Sequence, residues 1–331
     1  MIDLTGPARP WSDGLGRRFA HSLERATRSP WWRSPAPHGD PRLLERLAEL
    51  FGEPPDRTVV TGGVRQFATC WVQRTIPAAV ETPTFCDVPE LLEPGGPVRA
   101  VSWTALMDGS ALSAGPELVW LTSPFRNPDG RSLDPDGTAT VAGLVDQGHT
   151  VVVNQVYRWF VAPEARVAAP AGAWTVTSLA KLAGGGARLG WAVAPTAEDV
   201  TRTLTSHGPP SAWQRAWADF LDPPAYRALW ADCVEPTLAA ARAFAERIGE
   251  LTGWRIPDPR PAVMLECHGM EEPAALELLA ERGLAVSPGA AFGAPRPSVR
   301  LAFSGSTVTQ AQRAADTVAK EWHRFGPALF G

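Results

Sequence analysis

The sequence is poor in lysine, tyrosine and cysteine, and it has no surplus of basic charge. Of its 31 basic residues only two, Lys181 and Lys320, are lysines. Acidic residues number 35, so the net charge of -4 gives no electrostatic reason to expect a nucleic-acid partner. The four cysteines lack CxxC spacing, which argues against a zinc site or a disulfide framework and favours a reducing compartment. The six histidines form no spaced cluster, so we expect no metal.

Long hydrophobic runs are also missing. No stretch approaches the roughly 18 uncharged apolar residues of a membrane span. The first residues, MIDLTGPARPWSDGLGRRFA, contain no apolar core of a secretory signal, so we expect a cytoplasmic protein with no membrane association. The chain has 331 residues, of which 44% are hydrophobic and 20% charged, and this composition is typical of a folded globular protein with one or two domains.

Apolar patterning predicts an α/β fold. Residues 1–40 are rich in Pro, Trp and Arg and predict an extended N-terminal arm, whereas Pro41 to Gly52 has helical spacing with Pro at its start and Gly at its end. Further along, short apolar runs lie between turn signals and helical segments, at residues 78–82, 98–103, 118–124, 150–157, 174–179 and 190–195. Continuous apolarity indicates strands that are buried on both faces, in a mostly parallel sheet between helices.

The pattern changes after about residue 223. A long amphipathic helix is followed by short strands and two further helical segments, which predicts a smaller α+β C-terminal domain. We therefore expect an arm at 1–40, a large domain at 41–225 and a small domain at 226–331.

Two segments carry candidate chemistry. In WTVTSLAKLAGGGARLGWAVAP (174–195), Lys181 lies among apolar residues with no local carboxylate. Desolvation lowers the pKa of a lysine and makes its amine nucleophilic, as Schiff-base chemistry requires, although a surface lysine on a loop is the alternative. In RTVVTGGVRQ, a short strand is followed by two glycines and a helical pattern. This order is typical of a binding site for an anion such as phosphate, and an ordinary strand-to-helix turn is the alternative.

Six motifs resemble, in order, those of the fold-type I pyridoxal-phosphate (PLP) enzymes, the class I/II aminotransferases. One is the segment of Lys181, which reads S-x-x-K, then glycines, then R-L-G-W. The other five are TGGVRQ (61–66), TPTF (82–85), SPFRNPDG (123–130), VVVNQVY (151–157) and GLAVSPGAAFG with SVRLAFS (283–304). The resemblance spans roughly residues 38 to 305. Within the family, the NPDG and R-x-G-W strings look most like the alliinase and plant tryptophan-aminotransferase branch.

The resemblance implies a role for each matching residue. Lys181 would bind PLP as a Schiff base and act as the general base at the substrate Cα. Asn127 and Tyr157 would contact the phenolic oxygen of PLP, and Phe85 would stack on its ring. The phosphate would be held by the amides of Gly63, Val64 and Arg65, together with Ser178 and Arg188, and Arg300 would bind the substrate carboxylate. The alternatives are a core role for Phe85, a solvated charge for the Arg65 side chain, a turn cap for Ser178, and surface charges for Arg188 and Arg300.

Three departures from the family pattern stand out. Asn154 occupies the position of the aspartate that normally pairs with the pyridine nitrogen, and a neutral amide cannot supply that charge. Lys181 and Arg188 are seven residues apart, one fewer than usual, which Gly184 and its glycine neighbours can accommodate. The arm contains no tyrosine that could reach the phosphate of a partner subunit.

The resemblance implies a PLP-dependent enzyme, usually a homodimer, that acts on an amino acid. Amino transfer, with a 2-oxo acid as the second substrate, is its simplest activity. Asn154 favours an alternative, in which the enzyme is a lyase or catalyses β- or γ-replacement in specialised biosynthesis. A third hypothesis is a cofactor-bound binding protein with weak catalysis.

Overall fold

The computed structural model describes residues 1–28, 30, 32–71, 76–85, 87–110, 112–162, 169–203, 208–256 and 260–328. Its strands are Ile2–Asp3 (β1), Thr58–Thr61 (β2), Ala78–Thr82 (β3), Val98–Ser102 (β4), Leu118–Thr122 (β5), Thr150–Asn154 (β6), Trp174–Ser178 (β7), Gly190–Val193 (β8), Ala262–Cys267 (β9), Leu284–Ala285 (β10), Ser287–Pro288 (β11), Ser298–Ala302 (β12) and Phe325–Pro327 (β13).

Its α-helices are Asp13–Thr27 (α1), Pro41–Phe51 (α2), Val64–Thr69 (α3), Asp87–Leu92 (α4), Trp103–Met107 (α5), Pro135–Asp146 (α6), Ala180–Ala183 (α7), Ala197–Thr203 (α8), Ser211–Phe220 (α9), Pro223–Leu229 (α10), Glu235–Thr252 (α11), Glu272–Glu281 (α12) and Val308–Lys320 (α13). The helix predicted from Pro41 is present. Asp40 caps it by accepting a hydrogen bond from the Arg42 amide, and Gly52 ends it with a φ of 72°.

The central sheet has seven strands in the order β2-β8-β7-β6-β5-β3-β4. β8 runs antiparallel to its neighbours β2 and β7, and the pairs from β7 to β4 are parallel. Each apolar run predicted as a strand contains one of these strands. The predicted α/β class, with a mostly parallel sheet between helices, is confirmed.

Both faces of the sheet are covered. Trp120 and Val152 enter a core on one face, while Val119 and Val151, one position earlier on the same strands, enter a second core on the other face. Strands buried on both faces must be apolar at every position, which explains why these runs are continuous in the sequence.

The carboxyl ends of the parallel strands meet at one edge of the sheet. Thr82, Thr122, Asn154 and Ser178 are the last residues of β3, β5, β6 and β7. β8 runs in the opposite direction and therefore begins at this edge, at Gly190. In open α/β sheets this edge is where ligands bind.

A second sheet is antiparallel, in the order β11-β12-β9-β13, and fits the smaller α+β domain expected at the C-terminal end. Its core includes Phe244 of α11, Leu265 of β9 and Val318 of α13. The N-terminus contributes to this core as well, because β1 pairs in parallel with β10 and Leu4 is fully buried there.

The expectation of an extended arm over residues 1–40 is wrong for Asp13–Thr27, which is helical. Phe19 of this helix and Trp11 before it pack against Trp217 and Phe220 of α9, with ring centroids 4.7 to 6.1 Å apart. Leu15, Phe19 and Ala26 recur at helical spacing on its inner face, so the period is present in the sequence but lies beside Pro- and Trp-rich segments that resemble an arm. Packing against α9 stabilises the helix.

The long helix predicted after residue 223 is present but is not uniform. α10 continues through a π-helical turn at Trp230–Val234 into α11. Among the described cysteines, Cys70, Cys233 and Cys267 are free thiols, and Cys86 lies outside the described residues. In the described part of the chain, no helix combines the length and the apolarity needed to cross a bilayer.

Gly190 allows three segments to approach one another at the site edge. A Cβ built at this position would lie 2.5 Å from the Thr177 carbonyl oxygen and 2.8 Å from the Gly63 Cα. Both neighbours are backbone atoms, which cannot rotate away as a side chain can. Any side chain at this position therefore separates β8 from β7 or from the loop at Gly63.

We predict that Gly190→Ala lowers the free energy of unfolding by about 1–3 kcal/mol, since overpacking against backbone forces the strands apart. Gly143→Ala is the matched control, because Gly143 lies in α6 with no atom within 4 Å of its added Cβ. We expect the control to gain up to about 1 kcal/mol from helix propensity. Urea unfolding followed by circular dichroism measures both, and equal stability of Gly190→Ala and the natural protein would contradict the close approach.

Candidate active site

A cavity of about 290 Å³ opens at the edge where the parallel strands end. All the residues assigned to the cofactor from the sequence line it, namely Gly63, Val64, Arg65, Phe85, Asn127, Asn154, Tyr157, Ser178, Lys181 and Arg188. They come from five separate segments of the chain, which the sheet brings together.

Lys181 lies in α7, directly after β7. Leu179 and Leu182 on either side of it are fully buried and anchor the turn, and the Ser178 hydroxyl oxygen accepts a hydrogen bond from the Ala180 amide at 3.3 Å. The Lys181 Nζ lies 5.1 Å from the centroid of the Tyr157 ring. The packing of the leucines therefore directs the amine into the cavity.

Tyr157 is 4% exposed, and its hydroxyl is buried without a hydrogen-bond partner among the described residues. Burial opposes ionisation of this phenol, but the charges of Lys181 and Arg300 outweigh burial and lower its pKa. Arg300 approaches from β12 of the second sheet. Two cations, Lys181 from α7 and Arg300 from β12, thus lie near one phenol, an arrangement that attracts an anionic group.

Arg300 itself is 6% exposed and does not line the cavity, but it lies next to Tyr157. Its guanidinium carbon is 5.2 Å from the centroid of the Phe292 ring, and Nη1 makes a long 3.5 Å contact with the Thr5 carbonyl. Nε is buried and has no partner in the described chain. A buried guanidinium with an unused donor suits a carboxylate ligand.

Of the three backbone amides expected to bind phosphate at the Gly63 loop, only two are free to do so. Gly63 has a φ of 114°, which favours glycine, and its amide donates to the Thr61 hydroxyl at 3.2 Å. The amides of Val64 and Arg65 open the first turn of α3, where helix geometry leaves them without an intrahelical acceptor. These two amides, rather than that of Gly63, are available to an anion.

The side chain of Arg65 is turned away from this role. It is 56% exposed, forms an ion pair with Asp87, and lies over the Phe85 ring at 5.2 Å. This arrangement matches the alternative of a solvated charge for the Arg65 side chain. Phe85 is half-buried and lines the cavity.

Arg188 is exposed and lines the cavity, and the structure accommodates its short spacing from Lys181 in two ways. Gly184 takes a φ of 84°, and Gly185–Ala187 forms a single 3-10 turn. Arg188 then adopts a φ of 41°, a left-handed conformation that is uncommon for arginine.

Asn154 is 2% exposed, and its Oδ1 accepts a hydrogen bond from the Val156 amide at 3.1 Å. This bond assigns the oxygen to the backbone and leaves Nδ2, a donor, for the cavity. Thr122 pairs in register with Asn154 and also lines the cavity, with a buried hydroxyl that has no partner among the described residues. Sequence reasoning missed Thr122, although its position at the end of a buried strand, like that of Asn154, was a usable signal.

The residues of the cavity fit PLP. Several buried polar atoms have no well-formed hydrogen bond within the described chain, and four of them lie in or beside the cavity: Thr122 Oγ1, Asn127 Oδ1, Tyr157 Oη and Arg300 Nε. Buried polar groups are rarely left unpaired, so this set points to a polar ligand. A lysine amine, arginine donors and an aromatic ring match an aldehyde cofactor that carries a phosphate. In the described part of the chain, no group of three or more His, Cys, Asp or Glu side chains could hold a metal ion.

Comparison with solved structures supports the same fold. Aspartate aminotransferase from Thermus thermophilus, as a double mutant, superposes with a TM-score of 0.77 over 97% of this chain and 91% of its own, at 23% identity. An aminotransferase from Mycobacterium tuberculosis gives a TM-score of 0.79 over 97% and 91% of the two chains, at 19% identity. The α-aminoadipate aminotransferase LysN, also from Thermus thermophilus, gives 0.77 over 98% and 93%, at 18% identity.

The sequence profile described as "Aminotransferase class I and II" matches residues 17–318. No curated protein matches the sequence. The profile covers most of the chain, including the segments of Lys181 and Arg300. The protein therefore belongs to the class I and II aminotransferase family and is an enzyme of the PLP-dependent aminotransferase type.

Proposed function

We propose that this enzyme binds PLP at Lys181 and transfers the amino group of an amino acid to a 2-oxo acid. The observation that carries the proposal is the position of the Lys181 amine, 5.1 Å from the Tyr157 ring in a cavity lined by every residue assigned to the cofactor. Lys320, the other lysine, lies exposed in the last turn of α13 and has no such surroundings.

PLP, when bound, withdraws electrons from the substrate Cα. Lys181 would hold the cofactor and would take and return the proton of the substrate Cα. Tyr157 and Asn127 would orient the phenolic edge of the ring, and Phe85 would fix its plane by stacking. The phosphate would be held by the amides of Val64 and Arg65, with Ser178, Arg188 and the Gly63 turn.

Arg300 is the proposed clamp for the substrate carboxylate. A bidentate ion pair there would orient the Cα–H bond toward Lys181, which also lies next to Tyr157. Membership of an aminotransferase family favours amino transfer over the alternatives of elimination, replacement or a weakly catalytic binding role.

The proposal includes the organisation that the family resemblance implies. The large domain would be residues 41–225 and the small domain 226–331, with residues 1–40 packed against both. We further propose a homodimer with its active sites at the subunit interface, as the family resemblance implies, although the arm offers no tyrosine that could reach the phosphate of a partner subunit.

We predict that PLP forms a reducible bond with Lys181. Borohydride treatment of the PLP-loaded protein, followed by peptide mass mapping, should place the pyridoxyl label on Lys181. Lys181→Ala should abolish the label, and the control Lys320→Arg should retain it. A label on Lys320, or none in the natural protein, would refute the proposal.

We predict that Arg300→Lys weakens amino-acid binding but leaves PLP in place. Removing one partner of a buried charge pair costs on the order of 2–5 kcal/mol of binding free energy. A lysine keeps the charge but loses the paired donors of the guanidinium, so the substitution should cost less. Arg296→Lys is the control, because Arg296 is 62% exposed and pairs with Glu266 instead. Absorbance titration with amino acids and with the corresponding decarboxylated amines measures the effect. If Arg300→Lys still prefers amino acids as strongly as the natural enzyme does, Arg300 is not the clamp.

We predict that Asn154 limits the rate of amino transfer. Its Nδ2 can donate to the pyridine nitrogen but cannot stabilise a protonated one, so Asn154→Asp should speed the single-turnover half-reaction by about tenfold for each pKa unit regained by the nitrogen. Gln155→Glu is the control, because it adds the same charge at the next residue, which lines a different cavity. We expect this variant to leave the rate of the half-reaction unchanged. Stopped-flow absorbance measures the rates, and an unchanged or slower Asn154→Asp enzyme would show that this residue does not limit electron withdrawal.

A further inference from the structure

Asn127 lies in a tight turn, over residues 126–131, whose backbone hydrogen bonds both involve its neighbour Arg126. The Arg126 amide donates to the Arg131 carbonyl at 2.6 Å, and the Gly130 amide donates to the Arg126 carbonyl at 2.7 Å. The Asn127 Oδ1 is buried and has no partner among the described residues, so no hydrogen bond to this oxygen fixes the orientation of the amide. The direction of the amide therefore depends on this turn.

The Arg126 side chain ties the turn to the rest of the sheet edge. It is 1% exposed, its Nε donates to Asp129 Oδ1 at 2.8 Å, and its Nη2 donates to the other oxygen of the same carboxylate. Its Nη1 donates to the Thr82 carbonyl at 3.3 Å, at the end of β3, and the guanidinium lies 5.1 Å from the centroid of a Trp103 ring. The Arg126 side chain thus links the start of the turn, its fourth residue Asp129 and the neighbouring strand β3.

A second buried carboxyl, Glu81, lies near this pair but does not replace Asp129. It is fully buried, and burial raises its pKa to about 8, against the opposing effects of Arg126 and Thr122. Its Oε1 accepts a long 3.5 Å bond from the Thr84 hydroxyl, and Oε2 has no well-formed bond to any described residue. At neutral pH Glu81 therefore keeps its proton for the most part, and Asp129 remains the counterion of the buried guanidinium.

The small domain also touches the turn. Arg260, which precedes β9, donates from Nη1 to the Asp129 carbonyl at 3.2 Å, and a Cβ at Gly130 would lie 2.6 Å from the Arg260 Cδ. Gly130 has a φ of 76°, so any other residue would be strained there as well. The turn is therefore held by the Arg126–Asp129 pair, by β3 and by Arg260. Asn127 is the residue of the turn that lines the cavity.

We propose that Arg126 and Asp129 are positioning residues, whose ion pair fixes the turn that aims the Asn127 amide at the phenolic edge of the bound cofactor. The inference rests on the proposed function. An amide that donates to the phenolic oxygen stabilises negative charge there, so a misplaced amide leaves the bound cofactor protonated to a higher pH.

Asp129→Asn tests the pair, and Glu117→Gln is its matched control. The Glu117 side chain is 2% exposed and accepts two hydrogen bonds from Arg99 at 2.8 and 2.9 Å, at the opposite end of β5 from the cavity. Both substitutions neutralise a buried carboxylate that pairs with arginine, and both should lower the melting temperature. A purely structural role would therefore affect the two variants alike.

The measurements are PLP affinity by absorbance titration and the pH midpoint of the visible absorbance change of the bound cofactor. We expect Asp129→Asn to weaken PLP binding by up to about tenfold, the worth of one hydrogen bond, and to raise the pH midpoint. Glu117→Gln should leave both as in the natural protein. If Asp129→Asn does not fold, Asp129→Glu keeps the charge while displacing the carboxylate, and it should raise the midpoint in the same direction.

The outcomes separate this inference from the function on which it rests. A natural protein that binds no PLP would remove the proposed function itself. A natural protein that binds PLP, with a midpoint unchanged in the Asp129 variant or shifted equally in Glu117→Gln, would overturn the positioning role and leave the function standing.

Discussion

The parallel pairing of β3, β5, β6 and β7 is the constraint on which the site depends. It brings the last residues of four strands, which lie far apart in the sequence, to a single edge of the sheet. The antiparallel β8 then adds its first residue, Gly190, which has no side chain to separate β8 from the Gly63 loop. The position of each polar group at the cavity follows from the register of these strands rather than from local motifs.

Much of the sheet could be predicted because its strands are buried on both faces and therefore apolar throughout. The Lys181 segment was recognisable for a related reason, since a lone lysine among apolar residues conflicts with ordinary burial preferences. Ordered motifs then identified the family. The helix α1 was missed although Leu15, Phe19 and Ala26 have helical spacing, because the Pro- and Trp-rich segments around it resemble an extended arm. Its contacts with α9 through Trp11 and Phe19 are tertiary and do not show in a local pattern.

Other details of the site are tertiary by nature. Nothing in the sequence shows that the Arg65 side chain pairs with Asp87 or that the Gly63 amide turns back to Thr61. Thr122 and Asn154 are separated by a helix in the chain, yet they are register partners across two strands. These facts depend on side-chain directions and strand order, which are set only when the sheet forms.

The polar atoms left unpaired at the cavity give the fold a dependence on its ligand. A buried donor or acceptor without a partner costs free energy, and Tyr157, Thr122 and Arg300 each contribute one. A molecule that satisfies them binds the folded chain and not the unfolded one, so it stabilises the fold by mass action. Recognition of the ligand and stability of the protein are thus two measures of the same contacts.

The first residues of the chain pack into the core of the second sheet, whose strands are synthesised last. β1 pairs with β10, the Ala302 amide donates to the Leu4 carbonyl at 2.7 Å, and Trp11 reaches back to the Ala183 carbonyl. A ribosome releases Ile2 and Leu4 long before it has synthesised the strands that bury them. The N-terminal segment must therefore wait, unpaired, through nearly the whole of translation, and its docking is among the late steps that close the small domain's core over Arg300.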